Sequence, residues 1–206
     1  MVQAISASQV DLRELTQRFN LQATRDPAFF PEWREGLTEL TDNERQVLDK
    51  IQTGYWNLVE HPPLLERAIQ ISVLGPILLL GDFYLPPFHI QAEKSIEIAA
   101  EDGDQLIRGR IDVLLIKTDF WVLVIESKEA EFSVEAGLPQ TLSYLLANPD
   151  REKPSYGLIV SGGSFMFIKL VQGAVNQYGL SRIFEIRNPG NDLYDVLKIL
   201  KRIAQL

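Results

Sequence analysis

The chain has 206 residues, 46% of them hydrophobic and 23% charged, which is enough for one sizeable core and excludes a disordered or fibrous polymer. It contains no cysteine, so disulfides and thiolate metal sites are excluded, a composition that fits a reducing cytoplasm. A net charge of −8 argues against a strong nucleic-acid binder acting alone, which would normally show a basic face.

In chain order, the first residues, Met1 to Asp11, carry neither a basic start nor a long apolar run, so no secretory signal is expected. The pattern then predicts a helix from Gln9 to Leu21, a turn from Pro27 to Trp33, and an amphipathic helix after a Thr41 or Asp42 cap, running through Val47, Leu48 and Ile51 toward Trp56. Residues 1–61 therefore read as a helical extension, packing on a core or serving a partner. Pro62-Pro63 opens a second section, 62–206. Its most apolar window, Ala68 to Leu80, is too short for a bilayer and is interrupted by Gln70, Ser72 and Gly75-Pro76. It reads as a buried helix that ends or bends at Gly75-Pro76, and no membrane association is expected. A strand follows from about His89 to Ile98. Ile90, Ala92, Ile96 and Ile98 would share one face, with Glu93 and Glu97 on the solvent side, Glu93 being kept as an accessory acid.

The next stretch is the most informative. Val113 to Ile116 and Phe120 to Ile125 are nearly continuous aliphatic, β-branched and aromatic residues, the pattern of strands covered on both faces. Asp112, Glu126 and Lys128 interrupt this apolar hairpin with charge, and ionised groups in such a place need a partner or a metal. With a short loop near Asp119, residues whose numbers add to about 238 face one another, which sets Asp112 beside Glu126. Cβ atoms of directly opposed residues lie roughly 4.5–5.5 Å apart, so two carboxylates there repel unless a cation lies between them. Strand alternation puts Lys128 on the same face as Glu126. Two carboxylates, with the backbone carbonyl of Ser127, suit hard oxygen coordination of Mg²⁺, or of Mn²⁺ in its place. Such a metal polarises a phosphate and generates hydroxide, while Lys128 orients water or neutralises developing charge. The plainer reading is a salt-bridged pair at a strand end.

Downstream, Pro139 allows a helix to begin at its own position or to kink there after starting at Ser133, and Gln140 and Tyr144 share a face of that helix at i, i+4 spacing. Asn148 to Pro154 reads as a loop. Tyr156 to Val160 and Phe165 to Val171 read as a hairpin across Ser161-Gly-Gly-Ser164, a plain turn rather than a phosphate cradle. The chain has two histidines, His61 and His89, both beside prolines, which argues against a triad hydrolase or a histidine zinc site. An amphipathic helix from Leu193 through Ile203 closes the chain. The visible positive cluster is small: Arg108 and Arg110 near the hairpin, then Lys169, and Lys198, Lys201 and Arg202 at the C-terminal end.

The Asp112 and Glu126-Ser127-Lys128 pattern on consecutive strands resembles the PD-(D/E)xK superfamily of restriction-endonuclease-like nucleases. Gln140-Thr-Leu-Ser-Tyr144 resembles the Q-x-x-x-Y motif of the nuclease domains of type I restriction enzyme R subunits, and the segment from Glu66 resembles their first core helix, which often carries an acidic residue near the site. The resemblance covers about residues 63 to 170. Arg110-Ile111 stands where the family's Pro would precede the Asp, and no G-x-x-x-x-G-K-[ST] motor motif occurs. The resemblance implies an α/β, restriction-endonuclease-like core, a central mixed sheet flanked by helices, with the N-terminal helical extension added. It further implies a Mg²⁺-dependent endonuclease acting on nucleic acid, DNA before RNA, alone, as a homodimer or with a partner subunit. Asp112, Glu126 and Ser127 would hold the metal, Lys128 would be the catalytic cation, Gln140 and Tyr144 would position, and Glu66 would add an outer carboxylate. The rival expectation is an inactive member of the same fold serving as an interaction module in a larger assembly. A weaker one is a nucleic-acid-binding regulator without cleavage.

Overall fold

Runs of buried apolar residues give this chain its central strands, and a computed structural model describes residues 3–99, 105–117, 120–128 and 133–206. Among these residues the strands are β1 (Gln3–Ser6), β2 (Leu21–Ala23), β3 (Phe88–Ala99), β4 (Gln105–Lys117), β5 (Phe120–Lys128), β6 (Ser155–Ser161), β7 (Ser164–Val171) and β8 (Asn176–Glu185). They form one mixed sheet in the order β1-β4-β5-β6-β7-β8-β2, with β3 also pairing β4. β5 and β6 run parallel, β6 to β8 are antiparallel, and β1 and β2 add parallel to β4 and β8. β6 is buried at every position, as expected of a strand covered on both faces.

Helices cover both faces. On one side lie α2 (Asp42–Glu60), α3 (Glu66–Ile69) continuing through a π-turn (Gln70–Leu74) into α4 (Gly75–Leu80), and α6 (Leu193–Ala204), packed on Leu115, Leu123, Ile125 and Phe167. On the other lie α1 (Leu12–Arg18) and α5 (Leu138–Leu146), packed on Ile107, Ile111, Leu114, Val124 and Ile159. The protein is thus α/β, a mixed multi-stranded sheet flanked by helices. Among the described residues no helix is long and apolar enough to cross a membrane.

Local chemistry explains the ends. Thr41 and Glu44 form a reciprocal capping box that starts α2. Pro139 occupies the first turn of α5, where its missing N–H costs nothing, after a 3-10 turn over Val134–Gly137. The expected break at Gly75-Pro76 is instead a passage: the Gly75 N–H bonds the Gln70 carbonyl five residues back, and this wider turn relieves the clash a proline ring makes with the preceding turn.

Two expectations change. The segment 1–61 is not only helical: the predicted Gln9–Leu21 helix is shortened to α1, and β1 and β2 on either side of it join two different strands of the sheet. These strands are too short for periodicity to reveal. Second, β3 does not keep one apolar face. Ile90 packs on the α2 side, but Ile96 and Ile98 pack on the α5 side, because Glu93 adopts φ +55° and interrupts the pairing between Ala92–Val113 and Lys94–Ile111. Alternation reverses across that residue. The partner facing the irregularity on β4 is Asp112.

The hairpin keeps the predicted register as far as Val113, and the expected Asp112–Glu126 pair lies one step beyond the end of the ladder. Val113 faces Ile125, Leu114 faces Val124 and Leu115 faces Leu123, with a shift between Leu115 and Ile116 nearer the turn. The predicted turn residues Thr118 and Asp119 lie outside the described residues.

Candidate active site at a fork in the sheet

β4 is paired along nearly its whole length by β3. Its other edge is shared: β5 pairs Val113 to Lys117, and β1 pairs Gln105 to Arg108. Between those stretches, at Gly109 to Asp112, neither strand continues the ladder, because beyond Ile125 the strand β5 keeps its pairing with β6 and leaves β4. Such a fork leaves backbone groups that need partners.

Side chains expected at the site supply them. The Ser127 N–H donates to Asp112 Oδ2 at 2.7 Å, and the Tyr144 hydroxyl donates to the Arg110 carbonyl at 3.0 Å. A chain of contacts then closes the cluster. Gln140 Nε2 donates to the Tyr144 hydroxyl at 2.6 Å, Lys128 Nζ donates to Gln140 Oε1 at 2.6 Å, and Lys128 Nζ lies 2.8 Å from Glu126 Oε1. Asp112, Glu126, Lys128, Gln140 and Tyr144 therefore meet at one place. Glu126 and Lys128 share the sheet face on which α5 lies, as β5 alternation requires. Glu66, in the first turn of α3, stands at the margin. It accepts from Gln70 Nε2 at 3.0 Å, and its charge is felt by Glu126.

Burial dominates the electrostatics of the site. Glu126 is 2% exposed. Burial first, and then the Asp112 carboxylate, push its pKa up to about 8, while the Lys128 ammonium offsets part of the rise. Burial likewise raises Asp112, against the Ser127 N–H and Lys128, which pull it down. Burial and the nearby Glu126 carboxylate hold Tyr144 above its ordinary range, so it remains a neutral donor. Glu126 Oε2 and Ser127 Oγ are buried without a protein hydrogen-bond partner, and a buried carboxylate oxygen so placed calls for a proton, a cation or a water. Among the described residues no group of three or more His, Cys, Asp or Glu side chains is gathered to hold a metal by itself. The donors here are a carboxylate pair with the Ser127 carbonyl, an oxygen set that fits a hard divalent cation completed by water and substrate oxygens.

Gly109 is a functional position that the sequence reading passed over. A Cβ there would stand 2.5 Å from Tyr144 Cε1 and 2.8 Å from Ala7 Cβ, so the absent side chain is what lets the tyrosine ring lie against β4. A glycine inside an apolar strand pattern is the available signal. The histidines stay out of the cluster: His61 ends α2 with Nδ1 2.7 Å from the Asn57 carbonyl, and His89 lies within β3, opposite Ile116, rather than in a connection.

No family model and no curated protein matches the chain in sequence. Among solved structures, the crystal structure of SSO0001 is similar over 80% of this chain and 86% of that chain, at 13% identity and a TM-score of 0.27. That degree of likeness carries no argument about fold family or activity.

Proposed function

We propose that this chain is a metal-dependent nuclease with a restriction-endonuclease-like core, hydrolysing phosphodiester bonds in nucleic acid, with DNA the first substrate to test, in restriction or another form of nucleic-acid processing. The observation that carries the reading is the meeting of Asp112, Glu126 and Lys128 at the fork, backed by Gln140 and Tyr144, with one buried Glu126 oxygen lacking a partner. Asp112 and Glu126, with the Ser127 carbonyl, would hold Mg²⁺ or Mn²⁺, which when bound polarises a phosphate and lowers the pKa of a water. Lys128, held by Gln140 and Glu126, presents an ammonium to the oxygens of a bound phosphate and neutralises charge that grows on them. Gln140 fixes that ammonium while Tyr144 anchors Gln140 to the β4 backbone. Both are positioning residues, and Glu66 adds an outer carboxylate.

The second reading, an inactive nuclease-fold interaction module, draws on the pairing of the visible basic groups with carboxylates: Arg108 with Glu97, Arg110 with Glu93, Lys169 with Glu32, Lys198 with Glu39 and Lys201 with Glu44. The test is cleavage of supercoiled plasmid, single-stranded DNA and RNA with Mg²⁺, Mn²⁺ or EDTA, beside Lys128→Met. The nuclease reading expects metal-dependent cleavage that falls by about 10²–10³-fold in the variant. No cleavage, with no metal binding by calorimetry, would leave the interaction module.

A further inference from the structure

We infer that the exposed face of the α3–α4 helix is a self-association surface on which two copies of this chain pair antiparallel about a two-fold axis near Gly75. The inference stands independently of the nuclease reading. Ile71 is the most exposed large apolar side chain among the described residues, at 77%, and Leu79 follows at 62%. The two lie on one helix face with Gly75 between them, at i, i+4 and i+8. The Tyr84 hydroxyl reaches back to the Gly75 carbonyl at 3.4 Å, which places Tyr84, 49% exposed, against the same stripe, with Leu85, 54% exposed, beside it in sequence.

Area and charge select the occupant. Taking ~200 Å² for a large apolar residue, Ile71, Leu79, Tyr84 and Leu85 present about 480 Å². A standard interface takes roughly 600–1,000 Å² from each partner, of which about 56–65% is apolar. The largest apolar patch of an ordinary monomer is already about 300–600 Å² and often functional. The stripe is also self-complementary in charge. Arg67 lies at one end and Asp82 at the other, both exposed and neither with an ion-pair partner among the described residues. Gly75 lies midway between them in the chain. Two copies crossing antiparallel at Gly75 would set Arg67 of each beside Asp82 of the other, the isologous arrangement of a two-fold contact. The Tyr84 hydroxyl lies 3.8 Å from where a Gly75 Cβ would stand, so the tyrosine would share the crossing point with the glycine.

The experiment is sedimentation velocity across a dilution series on wild type, Ile71→Glu, Leu79→Glu, Arg67→Glu, Asp82→Lys and the double reversal Arg67→Glu/Asp82→Lys, with thermal melts on each to verify folding. The wild type is expected to dimerise at tens of micromolar. Each apolar-to-Glu variant is expected to weaken the dimer about tenfold or more. Each single reversal should weaken it and the double reversal should restore it. A wild type monomeric throughout the series overturns the inference. So does a dimer that Ile71→Glu and Leu79→Glu leave unchanged, because pairing would then use another face. A double reversal no better than the single ones overturns the antiparallel arrangement.

Discussion

Glu126 is the residue on which the site can be tested without any substrate. Its pKa, about 8 in the folded protein against the ordinary glutamate range when unfolded, means that the native state retains a proton the unfolded chain has lost. The stability this contributes is fully present below about pH 4.3 and is lost as pH rises through the folded value. Metal-free wild type should therefore weaken from mildly acidic pH to pH 8 and above. Glu126→Gln, neutral throughout, should escape that loss and melt a few degrees higher at alkaline pH, since about 1 kcal/mol corresponds to ~2–4 °C at this size. Chemical denaturation across pH measures both. A cation can take the place of the proton. Mg²⁺ or Mn²⁺ at 100 times its dissociation constant should add about 2.7 kcal/mol to wild type and much less to Asp112→Asn or Glu126→Gln, and EDTA should remove the gain. The sequence made these residues legible because charge interrupting an apolar strand is conspicuous and strand alternation fixes its face. It could not show that Asp112 also caps the Ser127 N–H of β5 and Tyr144 the Arg110 carbonyl of β4, since that depends on where β5 leaves the ladder.

Among the elements, the fork and the buried ends of the N-terminal segment bear the most weight. Gly109→Ala would drive a methyl into the Tyr144 ring and Ala7. Overpacking of this kind costs about 1–3 kcal/mol, and displacing Tyr144 loosens Gln140 and hence Lys128. Tyr144→Phe, which keeps the ring and removes only the hydroxyl, should cost about 1 kcal/mol by leaving the Arg110 carbonyl unpaired. Melts combined with cleavage rates separate the two effects. The second element lies in the segment the sequence presents as an extension. Glu32 Oε1 lies 2.5 Å from Lys169 Nζ and accepts from the Tyr156 hydroxyl at 2.9 Å, while the ammonium stands over the Phe29 and Tyr156 rings. Lys169 looks in the sequence like part of a basic surface, yet it is 9% exposed and clamps Pro31–Trp33 to β7. Lys169→Met alone should cost about 3–5 kcal/mol by stranding the carboxylate, whereas Lys169→Met/Glu32→Leu should recover much of that loss. A denaturant double-mutant cycle reads the coupling. Periodicity found α2 and α6, whose apolar faces repeat over several turns, while α5 is marked by Pro139 and the Gln140–Tyr144 spacing. It missed β1 and β2, where three or four residues become strands only because a longer strand offers them an edge.

At the scale of the whole molecule, the acidic net charge and the pairing of basic side chains bear on how nucleic acid would be held. A protein that neutralises six to ten phosphates loses affinity steeply with salt, with a slope of about 0.9 per phosphate on logarithmic axes. Here Arg108, Arg110 and Lys198 each face a carboxylate partner at 2.8–3.4 Å, and Lys169 is withdrawn into the fold. With these cations engaged and a net charge of −8, an isolated chain should bind duplex weakly and with a shallow salt dependence, about one to three phosphates by the same rule. Anisotropy of a labelled duplex, titrated in Ca²⁺ to hold a metal without turnover, would measure that slope between 50 and 200 mM salt. A steep slope would mean that the surface pairs open on contact and that the chain carries its own grip on the backbone. A shallow one, with cleavage present, would mean that affinity must come from a second copy or a subunit with a basic face, and that the fork supplies chemistry to a complex whose grip lies elsewhere.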